Sequence, residues 1–142
     1  MSVVLLVDDA PDIRLLERAV LARRGHEVLE AASGREALAL LNDGPLPTVV
    51  VLDVQMPEMD GWETLSSIRR HPRAADIPVI LCTVKSRSQD EARAWRGGCD
   101  GYLIKPFPIA RLAEEVEEVA RRSPEERQAV RRLHHEQLSD IA

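Results

Sequence analysis

Apolar positions fall along this chain in two alternating rhythms. Short, β-branched runs at Val3–Val7, Glu27–Ala31, Thr48–Leu52, Pro78–Cys82 and Gly101–Ile104 have strand character. Between them lie stretches with apolar residues three and four apart: Pro11–Arg24, Gly34–Asn42, Asp60–Arg70, Ser88–Gly97 and Pro108–Arg122. These read as helices. Pro11, Gly25, Gly44-Pro45 and Gly97-Gly98 punctuate the series where a turn or a helix end is needed. The first, third and fourth runs are almost continuously apolar, as parallel strands covered on both faces must be. Strict alternation of strand and helix predicts an α/β fold with right-handed crossovers: a doubly wound, five-stranded parallel sheet of order 2-1-3-4-5.

A chain of 142 residues, 44% of them apolar, supplies one hydrophobic core and not two. The expected organisation is one compact unit over residues 1–122 and a short C-terminal tail or linker over 123–142. Ser123-Pro124-Glu125-Glu126 reads as a helix start, with an N-cap, a proline at the first helical position and acids at the positive end of the dipole. Val130, Leu133, Leu138 and Ile141 make only a broken apolar stripe, so the expectation is a frayed, solvated helix, with a docking helix or a linker cut from a longer protein as alternatives. The chain carries 19 basic and 24 acidic residues, a formal net charge of −5, which argues against nucleic-acid binding by its own surface. The longest apolar run near the start is Val3–Val7, too short for a membrane span or a secretory segment, so a cytoplasmic location is expected. Cys82 and Cys99 lack metal-ligand or redox spacing and read as small buried apolar residues.

Candidate chemistry sits at the carboxyl ends of the strands, where open parallel sheets bind their ligands. Those ends carry Asp8-Asp9, Asp53, Thr83 and Lys105. In the predicted order the first and third strands are neighbours, so three carboxylates converge. Such a cluster calls for a counter-ion, and an all-oxygen donor set suits Mg²⁺. Lys105, one of only two lysines in the chain, and the Thr83 hydroxyl supply what a phosphoryl group's oxygens need. Taken singly, each residue has a plainer reading: the aspartates can cap helices, and a strand-end threonine or a loop lysine is usually structural. Four strand ends delivering the groups one reaction requires outweigh those readings.

Together with these residues, Asp53-Val54-Gln55-Met56-Pro57-Glu58-Met59-Asp60-Gly61 and Tyr102-Leu103-Ile104-Lys105-Pro106-Phe107 resemble the signature of response regulator receiver domains over about residues 3–122. The resemblance implies a flavodoxin-like three-layer sandwich and a phosphorylation-dependent switch that is not a conventional enzyme. It implies that Asp53 is the phosphoacceptor and that Asp9, Asp53 and the main-chain carbonyl of Gln55 bind Mg²⁺, with Asp8 supporting the metal. It also implies that Thr83 and Lys105 hold the phosphoryl oxygens, that Tyr102 reports the phosphorylation state, and that Lys105-Pro106 is a cis peptide. The implied partners are a sensor histidine kinase or histidine phosphotransfer protein as donor and a downstream protein as target, met on the face of the fourth helix, fifth strand and fifth helix. A receiver module cut from a longer regulator is the alternative.

Val84, directly after Thr83, stands where the family usually has Ala, Gly or Ser. Two readings are open: a gate on water and donor access, or simple packing beside the fourth helix. The acids Glu114, Glu115, Glu117 and Glu118 stand where receivers that dimerise through the fifth helix mix in basic residues, which argues against that dimer mode. A haloacid-dehalogenase-like phosphatase would need DxD after the first strand, and a flavodoxin a Ser/Thr/Gly-rich first loop; neither pattern is present.

Overall fold

The computed structural model describes residues 1–84 and 87–141, the side chains of 138–141 excepted. Five strands alternate with helices: β1 Val3–Val7, α1 Pro11–Arg23, β2 Glu27–Ala31, α2 Gly34–Asp43, β3 Val49–Asp53, α3 Gly61–Arg69, β4 Val79–Thr83, α4 Ser88–Arg96, β5 Gly101–Ile104 and α5 Ile109–Arg121, followed by α6 Pro124–Ile141. All strand pairs are parallel and the order is β2-β1-β3-β4-β5, as the alternation predicts. The central strands β3 and β4 are buried throughout, which is why their sequences carry no alternation.

Two cores flank the sheet. One, with Leu5, Val50, Leu52, Leu81, Leu65, Ile68 and Trp95, lies under α2, α3 and α4. The other, with Val4, Leu6, Val51, Ile80, Leu21, Leu112 and Val116, lies under α1 and α5. Both cysteines are buried here, their thiols pushed up by desolvation.

Two boundaries differ from the sequence reading in a way that matters. β3 and β4 each run one residue further, because Asp53 pairs with Cys82 and Thr83 with Ile104. The residues expected just beyond these strands are therefore their last rungs, held by the ladder itself. Asp60, expected as the first residue of its helix, is instead the N-cap of α3 in a capping box: its Oδ1 accepts from Glu63 N–H at 2.9 Å, and Glu63 Oε1 accepts from Asp60 N–H at 3.4 Å.

The tail is the one clear correction. Residues 124–141 form the longest helix of the chain, started by a second reciprocal cap between Ser123 and Glu126 (3.1 and 2.9 Å), and it lies against α4 and does not stand free. The apolar stripe is not what docks it. Leu133 is exposed, the side chains of Leu138 and Ile141 lie outside the described residues, and only Val130 packs on the core. Instead His134 stacks on Trp95 with ring centroids 4.1 Å apart and planes 5° from parallel, and Arg131 reaches the buried Asp100 at 2.6 Å. Among the described residues no helix is long and apolar enough to cross a membrane.

Candidate functional site

The switch in strand order lies between β1 and β3, and the chain turns its acids into that crevice. Asp53 is the last residue of β3 and Asp8 follows β1; both are buried, while Asp9 is exposed. One carboxylate oxygen from each of Asp8, Asp9 and Asp53 lies within 4.8 Å of the others. The sequence expectation that these three converge is met.

The plain and the chemical roles of Asp8 turn out to be compatible. Its Oδ1 accepts from Ala10 N–H at 2.9 Å, shaping the turn into α1, and its Oδ2 faces Lys105 Nζ at 3.6 Å. Lys105, just beyond β5, donates from Nζ to Asp53 Oδ1 at 3.1 Å and bridges the two buried acids. Its approach is fixed on both sides: its N–H donates to the Thr83 carbonyl at 2.7 Å, and the following Lys105-Pro106 peptide is cis, as expected.

Charge in this cluster is not balanced. Burial pushes the Asp53 carboxyl above its ordinary value; Lys105 and the Gln55 N–H pull it back, and Asp8 adds to the rise. For Lys105 burial works against the charge, yet Asp53 and Asp8 together hold the ammonium above its ordinary value. Three carboxylates against one ammonium leave a net negative site whose donors are all oxygens, a set suited to a hard divalent cation.

Behind the cluster stands a residue the sequence reading missed. Glu17 of α1 is buried, and desolvation, with Asp8 adding to it, raises its carboxyl to about 7. The signal was available, since Glu17 precedes the buried Leu21 by one helical turn and so lies on the inward stripe.

Local backbone chemistry explains the loop after β3. Glu58 adopts a φ of 67°, rare for a residue with a side chain, so that Met59 N–H can bond the Pro57 carbonyl at 2.8 Å. Gly61 is required by contact: a Cβ there would stand 2.5 Å from Val54 Cα and 2.6 Å from the Asp53 carbonyl oxygen. The residues of this loop thus press α3 directly onto the end of β3.

Thr83 is fully buried beside this cluster, Gln55 and Val84 are exposed, and Tyr102 is half-buried on the side of β5 that faces α4 and α6. Burial, followed by Asp90 and Glu91 of α4, raises the Tyr102 hydroxyl well above its ordinary value.

The family model described as response regulator receiver domain matches residues 4–117. The chain belongs to the response regulator receiver family. It is 35% identical over 117 residues to the chemotaxis protein CheY homolog of Campylobacter jejuni, covering 82% of this chain and 90% of that one. It is 33% identical over 123 residues to the DNA-binding dual master transcriptional regulator RpaA of Synechocystis, covering 87% of this chain but only 51% of that protein. The solved structure of the Vibrio cholerae chemotaxis protein CheY4 superposes with a TM-score of 0.78 at 33% identity, covering 84% of this chain and 98% of that one. As a receiver domain, the chain is a phosphorylation-dependent switch of two-component signal transduction.

Proposed function

We propose that Asp53 is the phosphoacceptor of this receiver and that the aspartate cluster binds Mg²⁺. The observation that carries this reading is the convergence of three carboxylates within 4.8 Å with Lys105 Nζ 3.1 Å from Asp53. Asp9, Asp53 and the Gln55 carbonyl would hold the ion, with Asp8 supporting it. The ion would supply charge neutralisation between the carboxylate and an incoming phosphoryl group.

The Asp53 carboxylate attacks phosphorus, the P–N bond to a donor histidine breaks, and an acyl phosphate P–O bond forms. Lys105, already at the carboxylate, and Thr83 at the end of β4 take the phosphoryl oxygens. The donor is a histidine kinase or histidine phosphotransfer protein in the cytoplasm. The product hydrolyses slowly, with Val84 bordering the approach of water. Thr83, drawn towards the phosphoryl group, leaves space for Tyr102 to turn inward, and the change reaches the α4–β5–α5 face, where a downstream protein binds. The receiver unit spans residues 1–122, with 123–142 an appended helical segment; its acidic surface is suited neither to nucleic acid nor to a membrane.

The test is phosphate uptake from a small-molecule phosphodonor followed by intact mass. Uptake is expected with Mg²⁺ and not in EDTA, because the uncompensated cluster repels a dianionic donor. Equal uptake in EDTA would contradict the metal-dependent site.

A further inference from the structure

On the face that the relay would address, a helix of the same chain already lies against α4 and reaches the residue just before β5. Asp100, at the start of β5, is buried and accepts from Val79 N–H at 2.9 Å and from Arg69 Nη2 at 2.9 Å. To this satisfied acid α6 adds Arg131, with Nε at 2.9 Å and Nη2 at 2.6 Å, and Arg127, with Nε at 3.7 Å. One turn further on, His134 stacks on Trp95. Between α6 and the sheet lies a cavity of about 250 Å³ whose walls include Trp95, Tyr102, Arg111, Glu115, Val130 and His134. Tyr102 and the α6 residues Val130 and His134 thus line the same cavity.

The docking is specific but not saturated. Three guanidinium groups surround one carboxylate, so the second and third repel the first. The two buried side-chain nitrogens without a hydrogen-bond partner among the described residues are Trp95 Nε1 and Arg127 Nε, and both lie in this contact. Leaving these two groups unmet costs the docked state, so the contact holds less firmly than its ion pairs and ring stacking alone would give.

We infer that α6 is the resident occupant of the α4–β5 face and that phosphorylation at Asp53 releases it. This inference rests on the acceptor and relay proposed above. One physical link joins the site to α6: Tyr102, paired with Leu81 of β4 two residues before Thr83, would withdraw one wall of the α6 cavity on turning inward. The face fits an amphipathic helix that presents arginines at i and i+4, a β-branched residue at i+3 and an imidazole at i+7, the pattern of Arg127, Val130, Arg131 and His134. A downstream protein gains this face only when α6 leaves it. Linkage is reciprocal, so whatever loosens α6 also favours phosphorylation.

The test is hydrogen exchange at the amides of residues 125–137 in the full chain with Mg²⁺, before and after loading with phosphoramidate, with intact mass measured on the same samples. Loading is expected to speed exchange in α6 at least about fivefold. Arg131→Ala and His134→Ala, which leave the acceptor site untouched, should speed exchange before loading and also hasten phosphate uptake. Unchanged or slower α6 exchange in chains that carry the added mass would overturn the inference while leaving the acceptor reading intact. No mass gain in the wild-type chain would bring down both. Protection of α6 that depends on protein concentration would assign the occupant to a second copy and overturn docking within one chain.

Discussion

Val84 distinguishes two accounts of one side chain. At 53% exposed it makes few of the contacts a packing role needs, so Val84→Ala should change stability by less than about 0.5 kcal/mol. If it borders the in-line path of water, the same substitution shortens the phosphorylated lifetime and speeds loading from small donors together. Decay of the acyl phosphate, followed by intact mass in both proteins, checks this; an unchanged or slower decay in the variant would remove the gate. Glu17 gives a second test at this scale. Its carboxyl is raised from 4.5 to about 7 by burial, so the fold favours the protonated form. The associated stability is fully present below about pH 4.5 and is lost as pH rises through about 7. Glu17→Gln, which keeps the shape and removes the charge, should therefore stabilise the chain by about 1–3 kcal/mol at about pH 8 and hardly at all at about pH 4.5. Urea titrations in EDTA at both values decide it; a pH-independent difference would mean that Glu17 is not held protonated.

The loop after β3 fits α3 against the end of that strand through one glycine. A methyl group at Gly61 would meet Val54 Cα and the Asp53 carbonyl, which are backbone and cannot swing aside. Gly61→Ala should cost about 2–3 kcal/mol and also slow phosphate uptake, since the shift it forces falls on Asp53. Urea unfolding and uptake rate measured together check this; full stability with normal uptake would show that the loop has slack. The same loop shows why so much was legible beforehand. Its glycine and its aspartate after the strand run are local signals in one continuous stretch, whereas the capping role of Asp60 was read one position off. The docking of α6 was not legible for the opposite reason. Its apolar stripe is weak, and what holds it are pairings across the chain: Arg131 to Asp100, 31 residues away, and His134 to Trp95. A count of apolar residues misses a helix that docks by ion pair and ring stacking. The acids of α5 show the same pattern, since Glu117 is engaged by Arg24 and His26 and its carboxyl is held down to about 2 chiefly by the Arg24 hydrogen bond.

For the whole molecule, sheet order is what turns sequence into chemistry. Strict alternation fixed the doubly wound topology, and the topology alone brings Asp8 and Asp53, 45 positions apart, to adjacent strand ends with Lys105 above them. Side chains at those ends could be named from the sequence because the crevice always lies there. Glu17 was missed because it reaches the cluster from the flank of α1 and not from a strand end, so only the inward stripe of that helix points to it. Uptake of phosphate at one residue of this crevice is tested most directly by intact mass of wild type and Asp53→Asn after exposure to a small phosphodonor with Mg²⁺. The wild-type chain should gain one phosphoryl group and the variant none, since the amide cannot form the acyl phosphate. An equal gain in Asp53→Asn would place the acceptor elsewhere and contradict the account.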